Sequence, residues 1–585
     1  MPLDAICLAA VKDELTERIV GMKIDKVQQP ERDIIILTLR GAGGQKRMLI
    51  SGGSGDARVH LTDHQFENPA SPPMFCMLLR KYLSGARIIS VTQPASERIL
   101  ELKLSAPDAL GIMSDKHLII ELFGRFSNII LTGDERLIID CLRRVGGELS
   151  DKRAVLPGLL YRMPPPQEGK LNPLAVTIDD WQSAFDSSIE KTADKWLLSV
   201  FSALSPLICR EISWRAYGEA DYPSGEIRDG GAALRREFFA LMNSAKAGDM
   251  QPWAITGADG TPKDFSYTKI MQYESALSVI RKESFSVLLD SFYTLKTQRE
   301  RIRQRAAATA KIVKTAHGRL VRKLAAQQEE LKNTKERDSL RECGDIITAN
   351  IHLMKKGQIE LIATDFYSKD GGMRKIILDT QKTPQQNAAR YYKEYTKAKN
   401  AEKFLTHQIL VGENELKYLE SVMTEVELAG GEGDLQGIRD ELEQTGYIRA
   451  KKQEKQKRKE SAPMRFESSK GLSILAGRNN TQNDRLTLKT ALKSDIWLHI
   501  QKSHGSHVII SCSGGTPDEL SLFEAAVIAA YYSSARAGGK VPVDYTYVKH
   551  VKKPPGGRPG MVTYTEYKTI IVTPDEELVS RLRRT

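Results

Sequence analysis

The sequence predicts an α+β multidomain protein. It is read as a mixed α/β N-terminal domain, a compact helical domain, a long antiparallel coiled-coil arm with a small β insert, and an α/β C-terminal domain. Three observations predict it. Short alternating apolar runs crowd residues 1–165 and return after 464. Aromatic residues recur at helical spacing over 171–250. No proline occurs from Lys263 to Thr383, where leucines repeat every seven residues. At ~150 residues per domain, a chain of 585 residues has room for roughly four such units.

Residues 1–170 form the first expected domain. Leu3–Ile19 has the spacing of an amphipathic helix, and strand-like runs follow at Ile34–Leu39, Arg47–Ile50, Ile88–Val91, Ile99–Leu104, His117–Leu122 and Ser127–Leu131. Pro72 and Pro73 precede a helix starting near Met74. The run Pro164-Pro165-Pro166 cannot continue a helix and closes the unit. Residues 171–275 form the second, with Trp181, Phe185, Trp196, Phe201 and Ile212 as a core stripe and a break at Ser205-Pro206.

Residues 276–445 form the arm. Leu288, Leu295 and Ile302 repeat every seven residues, as do Val313 with Leu320 and Leu324 with Leu331, so one helix seeks a partner helix. A second run from Gln385 to about Leu428 offers Tyr391, Tyr395, Ala398, Phe404, Ile409, Leu416 and Leu419 as its buried stripe. An insert at 343–382, with Gly371-Gly372 as a turn, separates the two. From Arg281 to Arg337 there are 15 Lys/Arg against 6 Asp/Glu, which makes the first arm helix basic. Residues 446–463 read as a basic linker, and 464–585 as the last domain, with strands near Ser473–Leu475, Ile496–Ile500, Val508–Cys512 and Thr569–Thr573 and an Ala-rich helix at Leu522–Ala537.

Composition narrows the class. A hydrophobic fraction of 41% with 27% charged residues describes a globular chain, and a net charge of +12 suits an anionic partner. The six cysteines are widely scattered with no CxxC, so neither a zinc ribbon nor a disulfide framework is expected, and a reducing cytosol is the simplest home. The opening stretch meets Lys12, Asp13 and Glu14 too soon for a signal peptide, and no window of about 18 uncharged apolar residues could span a membrane.

Catalytic signatures are sparse. Pro2, once Met1 is removed, would offer the secondary amine used by one class of DNA glycosylases, but Leu3 and Asp4 follow where those enzymes place a glutamate. His499, His504, His507 and Cys512 match no metal-ligand module, and the Gly-rich runs lack a Walker ending. No catalytic residue, metal or cofactor is assigned. The segment 536–558 says more: six Lys/Arg accompany one acid, with Tyr545 and Tyr547 interleaved and Tyr564 and Tyr567 following. Cations neutralise phosphates and aromatics stack on unpaired bases, which points to RNA. The same stretch also reads as a solvated basic face with its tyrosines packed inward.

Several stretches together resemble one family. GRNNTQNDRLTLKTALKSDIWLHIQKSHGSHVII (477–510) and EAAVIAAYYSSARAGGKVPVDYTYVKHVKKPPGGRPGMVTY (524–564) resemble the NFACT-R RNA-binding domain. MFCMLLRKYL (74–83), ELFGRFSNIIL (121–131), LPGLLY (156–161) and IILDTQKTPQQNAARYYKEYTKAK (376–399) are similar to the rest of the RqcH/NEMF family, whose older bacterial name is fibronectin-binding protein A. The resemblance runs the whole length in the order NFACT-N, helix-hairpin-helix-like domain, coiled-coil arm with middle insert, NFACT-R. It implies a DNA-glycosylase-like N-terminal architecture kept without the chemistry.

The resemblance also implies a function. Such proteins bind a large ribosomal subunit still holding peptidyl-tRNA and recruit tRNA, chiefly alanyl-tRNA, for untemplated C-terminal tailing of the stalled nascent chain. The tail marks that chain for degradation. The implied partners are large-subunit rRNA, tRNA and the peptidyl-tRNA nascent chain, with no membrane; the implied state is a cytoplasmic, ribosome-associated monomer. A family Asp-Arg pair falls on Glu97 and Arg98, and a second tRNA-contacting stretch falls on Glu121, Leu122 and Phe123, next to Arg125. Family members often carry His where Phe126 stands, and the hairpin glycine expected before Ser205-Pro206 is replaced in the stretch Ala203-Leu204. Expected rRNA or RNA contacts are Arg299, Arg301, Arg303 and Arg305 on the arm, and His507, Lys540, Lys549, Lys552, Lys553 and Arg558 in the last domain. The rival classes are a surface adhesin binding fibronectin and a glycosylase-like DNA-binding protein.

Overall fold

A computed structural model describes residues 3–94, 96–107, 111–146, 153–165, 167–187, 192–273, 275–449, 461–512 and 514–584. Pro2, Pro166 and residues 450–460 of the expected basic linker lie outside them. The chain divides into two compact units, residues 1–299 and 300–585.

In the first unit, helix α1 (Ala5–Ile19) starts at Asp4, whose carboxylate accepts the Cys7 amide at 2.8 Å and so satisfies one free N-terminal donor. Leu8, Val11, Leu15 and Ile19 form its buried stripe. Strands β1 (Lys23–Glu31), β2 (Ile34–Gly41), β3 (Gly44–Ser51) and β4 (Arg58–Leu61) precede α2 (Met74–Leu83). Strands β5 (Arg87–Thr92), β6 (Ile99–Pro107), β7 (Met113–Glu121), β8 (Asn128–Thr132) and β9 (Ile138–Cys141) follow. They make one antiparallel sheet in the order β4-β3-β2-β1-β5-β6-β7-β8-β9. Alternation along β6 and β7 sends Leu100, Leu102, Leu118 and Ile120 into the main core with α1 and α2, and Ile99 and Ile119 into a smaller cluster with Val155 on the other face.

The helical domain holds α3 (Ile178–Ser187), α4 (Ala193–Val200), α5 (Pro206–Tyr217) and α6 (Ala232–Lys246). Trp181 stacks on Phe185 at 5.0 Å and meets Trp196 edge-on at 5.1 Å, while Phe201 and Phe238 pack at 4.5 Å. These rings are core, as their spacing predicts. Pro206 opens α5 at a position with no amide to satisfy, and Ala203 in the preceding turn takes a left-handed φ of 64°. A small sheet of β10 (Trp253–Thr256), β11 (Pro262–Ser266) and β12 (Ser278–Arg281) follows. The long helix α7 (Phe285–Asn333) therefore begins later than the expected boundary at 276, because 278–281 pair with β10. Glu14 accepts the Phe285 amide at 2.7 Å at that start.

The second unit contains most of α7, then α8 (Arg337–Ala349), the hairpin β13 (Glu360–Thr364) and β14 (Met373–Ile377), and α9 (Pro384–Leu428). Thr383 and Gln386 form a capping box at the start of α9, accepting each other's backbone amides at 3.3 and 2.9 Å. Helices α7 and α9 run antiparallel: Val313 packs in one cluster with Tyr418, Leu419 and Val422, Leu324 sits on Gly412, and Arg337 pairs with Glu402. A Cβ at Gly412 would lie 2.6 Å from Leu324 Cδ2, so glycine admits that leucine. Phe404, expected in the stripe, is 63% exposed, and its neighbour Leu405 is 4% exposed in its place. Helix α10 (Glu432–Gln444) adds Leu435, Ile438 and Leu442 to the Val313 cluster.

The C-terminal domain carries β15 (Met464–Glu467), β16 (Ser473–Ala476), α11 (Asn480–Arg485), β17 (Ile496–Ile500), β18 (Val508–Ile510) and α12 (Glu519–Tyr531). Strands β19 (Val541–Tyr547), β20 (Val551–Lys552), β21 (Thr563–Tyr564) and β22 (Lys568–Val572), helix α13 (Glu576–Leu582) and β23 (Arg583–Arg584) complete it. Its main sheet has the order β22-β19-β17-β18-β16-β15-β23. The buried alanines 525, 526, 529 and 530 let α12 pack closely on it. Helix α12 ends at Tyr531, earlier than the composition suggested. Among the described residues no helix is long and apolar enough to cross a membrane.

Candidate nucleic-acid interface

In the first unit, the pairing of β6 with β7 joins the two separated motifs. Ile99 faces Glu121 in register, and the Leu122 amide donates to the Arg98 carbonyl at 2.9 Å. The loop before β6 and the turn after β7 therefore share one sheet end. Ser96 holds a left-handed φ of 60° and anchors that loop by donating to Asn172 Oδ1 at 2.6 Å. Gln93 donates to both the Glu97 and Ala5 carbonyls at 2.8 Å.

Glu97 and Arg98 are half-buried on this loop. The Arg98 guanidinium lies 5.5 Å from the centre of the Phe123 ring, within cation–π reach. Two residues on, Arg125 lies 4.7 Å over Phe126, which is 67% exposed. Two arginine–aromatic pairs thus sit side by side at one sheet end, one bridging the loop and the turn and the other within the turn. Burial raises the Glu97 carboxyl, with Arg98 opposing it. Burial lowers the Arg98 guanidinium, with Asp4 and Glu97 opposing. Asp4 is pushed up to about 6 by burial, against hydrogen bonds from Cys7 and Ser205. An arginine held this way keeps its charge while shedding part of its water, which suits a phosphate or a base edge.

Two of the expected contacts lie beneath the surface. Glu121 is 2% exposed, and both its oxygens accept from Arg153 at 2.8 and 2.7 Å, with the Tyr161 hydroxyl at 2.9 Å on one of them. Leu122 is 1% exposed in the main core. The two side chains point to opposite faces of the sheet, Leu122 into the main core and Glu121 toward Tyr161 on the other face, and together they hold the start of the turn. Phe123 and Arg125 remain beside the Arg98 loop. Phe126 was not among the expected contacts, although its place between Arg125 and Ser127 in ELFGRFSN is the signal that could have found it.

Along α7, Arg299 pairs with Asp259 at 3.5 Å and Arg305 pairs with Glu432, while Arg301 and Arg303 are exposed. In the C-terminal domain, Lys540, Lys549 and Lys552 are exposed and make no ion pair among the described residues. Lys553 pairs with Asp484, and Arg558 is committed to Glu415 at 3.2 Å. His507 lies inside the domain: it is 2% exposed, hydrogen-bonds Thr487 Oγ1 at 2.8 Å, and meets Trp497 edge-on at 5.2 Å. Burial pushes its pKa well below the usual range, which favours the neutral imidazole.

The tyrosines divide in the same way. Tyr545 and Tyr547 lie on β19 and pack against the core, and Tyr564 donates to Asp544 at 2.8 Å while leaning on Trp497 at 4.8 Å. Tyr567 is the one of the four that is largely open. His499 also packs, stacked 5.6 Å from Trp497, and His504 faces Glu420 at 3.5 Å. Among the described residues no group of three or more His, Cys, Asp or Glu could hold a metal ion.

Comparisons with known proteins agree along the whole chain. The model of the NFACT N-terminal and middle domains matches residues 4–461, and that of the NFACT protein RNA binding domain matches 463–564. The chain is 35% identical over 588 residues to the Rqc2 homolog RqcH of Bacillus subtilis (strain 168), covering 100% of both. It is 33% identical over 585 residues to the Rqc2 homolog RqcH of Streptococcus pneumoniae serotype 2, again covering 100% of both. Among solved structures, the C-terminal part of the fibronectin/fibrinogen-binding protein from Streptococcus suis is 33% identical, with a TM-score of 0.39 over 48% of this chain and 100% of that one.

Proposed function

The chain belongs to the NFACT family, alongside the RqcH proteins, and from that premise we propose that it is a ribosome-associated quality control factor. It binds a large ribosomal subunit obstructed by peptidyl-tRNA and recruits tRNA, chiefly alanyl-tRNA, for untemplated C-terminal tailing that marks the stalled chain for degradation. The observation that carries this reading is the similarity to an RqcH protein over the full length of both chains.

The work divides among the domains. NFACT-N (1–170), whose architecture we take to be glycosylase-like, presents Arg98 and Glu97 to tRNA, with the rings of Phe123 and Phe126 and the cation of Arg125 beside them. The helical domain (171–275) supports it, and the exposed arginines of the arm (276–445) meet rRNA phosphates. NFACT-R (464–585) adds Lys540, Lys549 and Lys552. The ribosome's own centre makes the peptide bonds, and this chain positions the tRNA. It acts as a cytoplasmic monomer.

Sequencing of the RNA that co-purifies with the tagged chain across a ribosome gradient tests the reading. Large-subunit rRNA plus one enriched tRNA, with small-subunit rRNA depleted, is the expected result. Large-subunit rRNA without tRNA would remove recruitment from the proposal. No RNA at all would return the choice to a fibronectin adhesin or a glycosylase-like DNA-binding protein. Affinity for the subunit is also expected to fall steeply with salt, since phosphate contacts release counterions.

A further inference from the structure

In the second unit, a groove of about 580 Å³ opens where α7 faces α9 and the turn after α10. Its volume lies within the ~300–1,000 Å³ common for small-ligand sites. Two adjacent ridges of α7 build it. Lys311, Thr315, Arg319 and Lys323 stand four residues apart and form an exposed rim. Ile312, Ala316 and Leu320 form the neighbouring row, and with Leu419 they make an apolar floor.

The opposite wall is Tyr447 and Glu415. Gly446, at φ 86°, turns the chain so that Tyr447 comes back to the groove, and its hydroxyl donates to Glu415 Oε1 at 2.5 Å. Arg558 donates to the same oxygen at 3.2 Å. The groove's single acid is therefore already neutralised. Lys311, Arg319 and Lys323 make no ion pair among the described residues. At 1.5 Å per residue, the first and last of these cations stand ~18 Å apart along the helix.

An apolar floor beneath a cationic rim, closed by an aromatic ring, is the chemistry of a nucleotide rather than of a smooth duplex. A base needs a flat apolar seat, and its flanking phosphates need cations; a stacked duplex offers only the phosphates. We propose that this groove seats one unstacked nucleotide of a single-stranded RNA segment, its base on the Ile312/Ala316/Leu320 row, with the phosphates of that nucleotide and its neighbours running along Lys311, Arg319 and Lys323. The proposal rests on the reading that this chain binds RNA and names what one part of the arm takes.

The test uses the full chain, a labelled 15-nucleotide mixed-sequence RNA strand, and the same strand annealed to its complement, read by fluorescence anisotropy across a salt series. The triple variant Lys311→Ala/Arg319→Ala/Lys323→Ala is expected to bind the strand at least tenfold more weakly, with the slope of log K against log salt shallower by about two. Its duplex affinity should fall threefold at most. Thr315→Met keeps every cation but fills the groove from its exposed rim; it should weaken strand binding about fivefold with the salt slope unchanged. Equal losses on strand and duplex would reduce the groove to a surface patch and overturn the proposal, as would a Thr315→Met variant that binds like the parent. Polyglutamate competing as well as RNA of equal charge would assign the groove to an acidic peptide instead. A triple variant with unchanged strand binding but normal subunit association would sink the groove alone, whereas loss of subunit association by the unaltered chain would sink the function above.

Discussion

Arg153 grips both carboxylate oxygens of Glu121, at 2.8 and 2.7 Å, in a site where the glutamate is almost fully enclosed. The pair fixes the end of β7, and with it the turn that carries Phe123 and Arg125. Removing one partner strands the other charge away from water, a change that costs about 3–5 kcal/mol in buried pairs. Glu121→Ala and Arg153→Ala should each lower the melting temperature and expose the first unit to protease. The double variant should be less damaged than the sum of the two, which a double-mutant cycle by denaturant melting would read. Melting unchanged by either single substitution would return Glu121 to the list of direct tRNA contacts.

Arg98 stands in a different position, half-buried and over an aromatic ring. Arg98→Ala should abolish tailing in a reconstituted assay while subunit association in a gradient stays within twofold. Arg98→Lys keeps the cation but loses the planar fork, so tailing should be only partly restored. Loss of both tailing and subunit association would make the residue structural.

Ala203 holds a left-handed φ of 64° in the turn between α4 and α5, in the neighbourhood where a hairpin glycine is expected. This backbone conformation favours glycine and here carries the strain of a Cβ, worth roughly 1–2 kcal/mol for an L-residue. Ala203→Gly should raise the stability of the first unit by about 1 kcal/mol, after the extra chain entropy of glycine is subtracted. A lower denaturant midpoint in this variant would show that the strain is absent.

The packed histidines of the C-terminal domain make it acid-sensitive. Burial lowers His499 from 6.5 to about 4 and His507 well below its ordinary range. Unfolded histidines take up protons near pH 6.5, while the folded ones resist, so the stability these groups provide is intact above pH 6.5 and is lost as pH falls toward 4. For His499 alone the loss approaches about 3 kcal/mol at the low end. Near-ultraviolet circular dichroism reporting on Trp497, followed from pH 7.5 to 4.5, should show the decline, and His499→Gln should flatten it. A parent protein equally stable at both ends would contradict the neutral assignment.

Much of the fold was legible because period and punctuation agree with it. Strands β2, β3 and β5 to β8 lie where alternation placed them, and α2 starts directly after Pro73. Strands β1, β4 and β9 were missed: β1 carries Pro30 and several polar residues, and the other two are four residues long. The seven-residue repeat located the arm but not every face. Leu288 packs in the core of the first unit and Ile302 beside the arm's own cluster, so Leu295 between them is exposed. A straight helix drifts against a strict heptad, which is also why Leu405 and not Phe404 turns inward.

The candidate site was legible by motif and not by side-chain direction. Glu97 with Arg98 and the stretch at 121–125 do meet at one sheet end. Whether Glu121 faces solvent or Arg153 depends on a partner 32 residues away, which no local pattern reports. His507 and Tyr564 were drawn inward by Trp497, again a tertiary effect. The groove along α7 went unseen because its cations and its floor are interleaved in the sequence and separate only once the helix winds them onto two ridges.

Leu324 seated on Gly412 has a mechanical consequence. Two long helices zipped by side chains of similar size can slip past one another by a heptad with little penalty. A leucine resting on a bare α-carbon works as a detent instead: shifting α9 by seven residues would set it against Leu405 or Leu419, where no notch exists. Such a slip would change how far the hairpin end projects by ~10 Å, the rise of seven helical residues. The absent Cβ at Gly412 thus acts with the Val313 cluster and the Arg337–Glu402 pair to hold the two helices at one register, and so at one length.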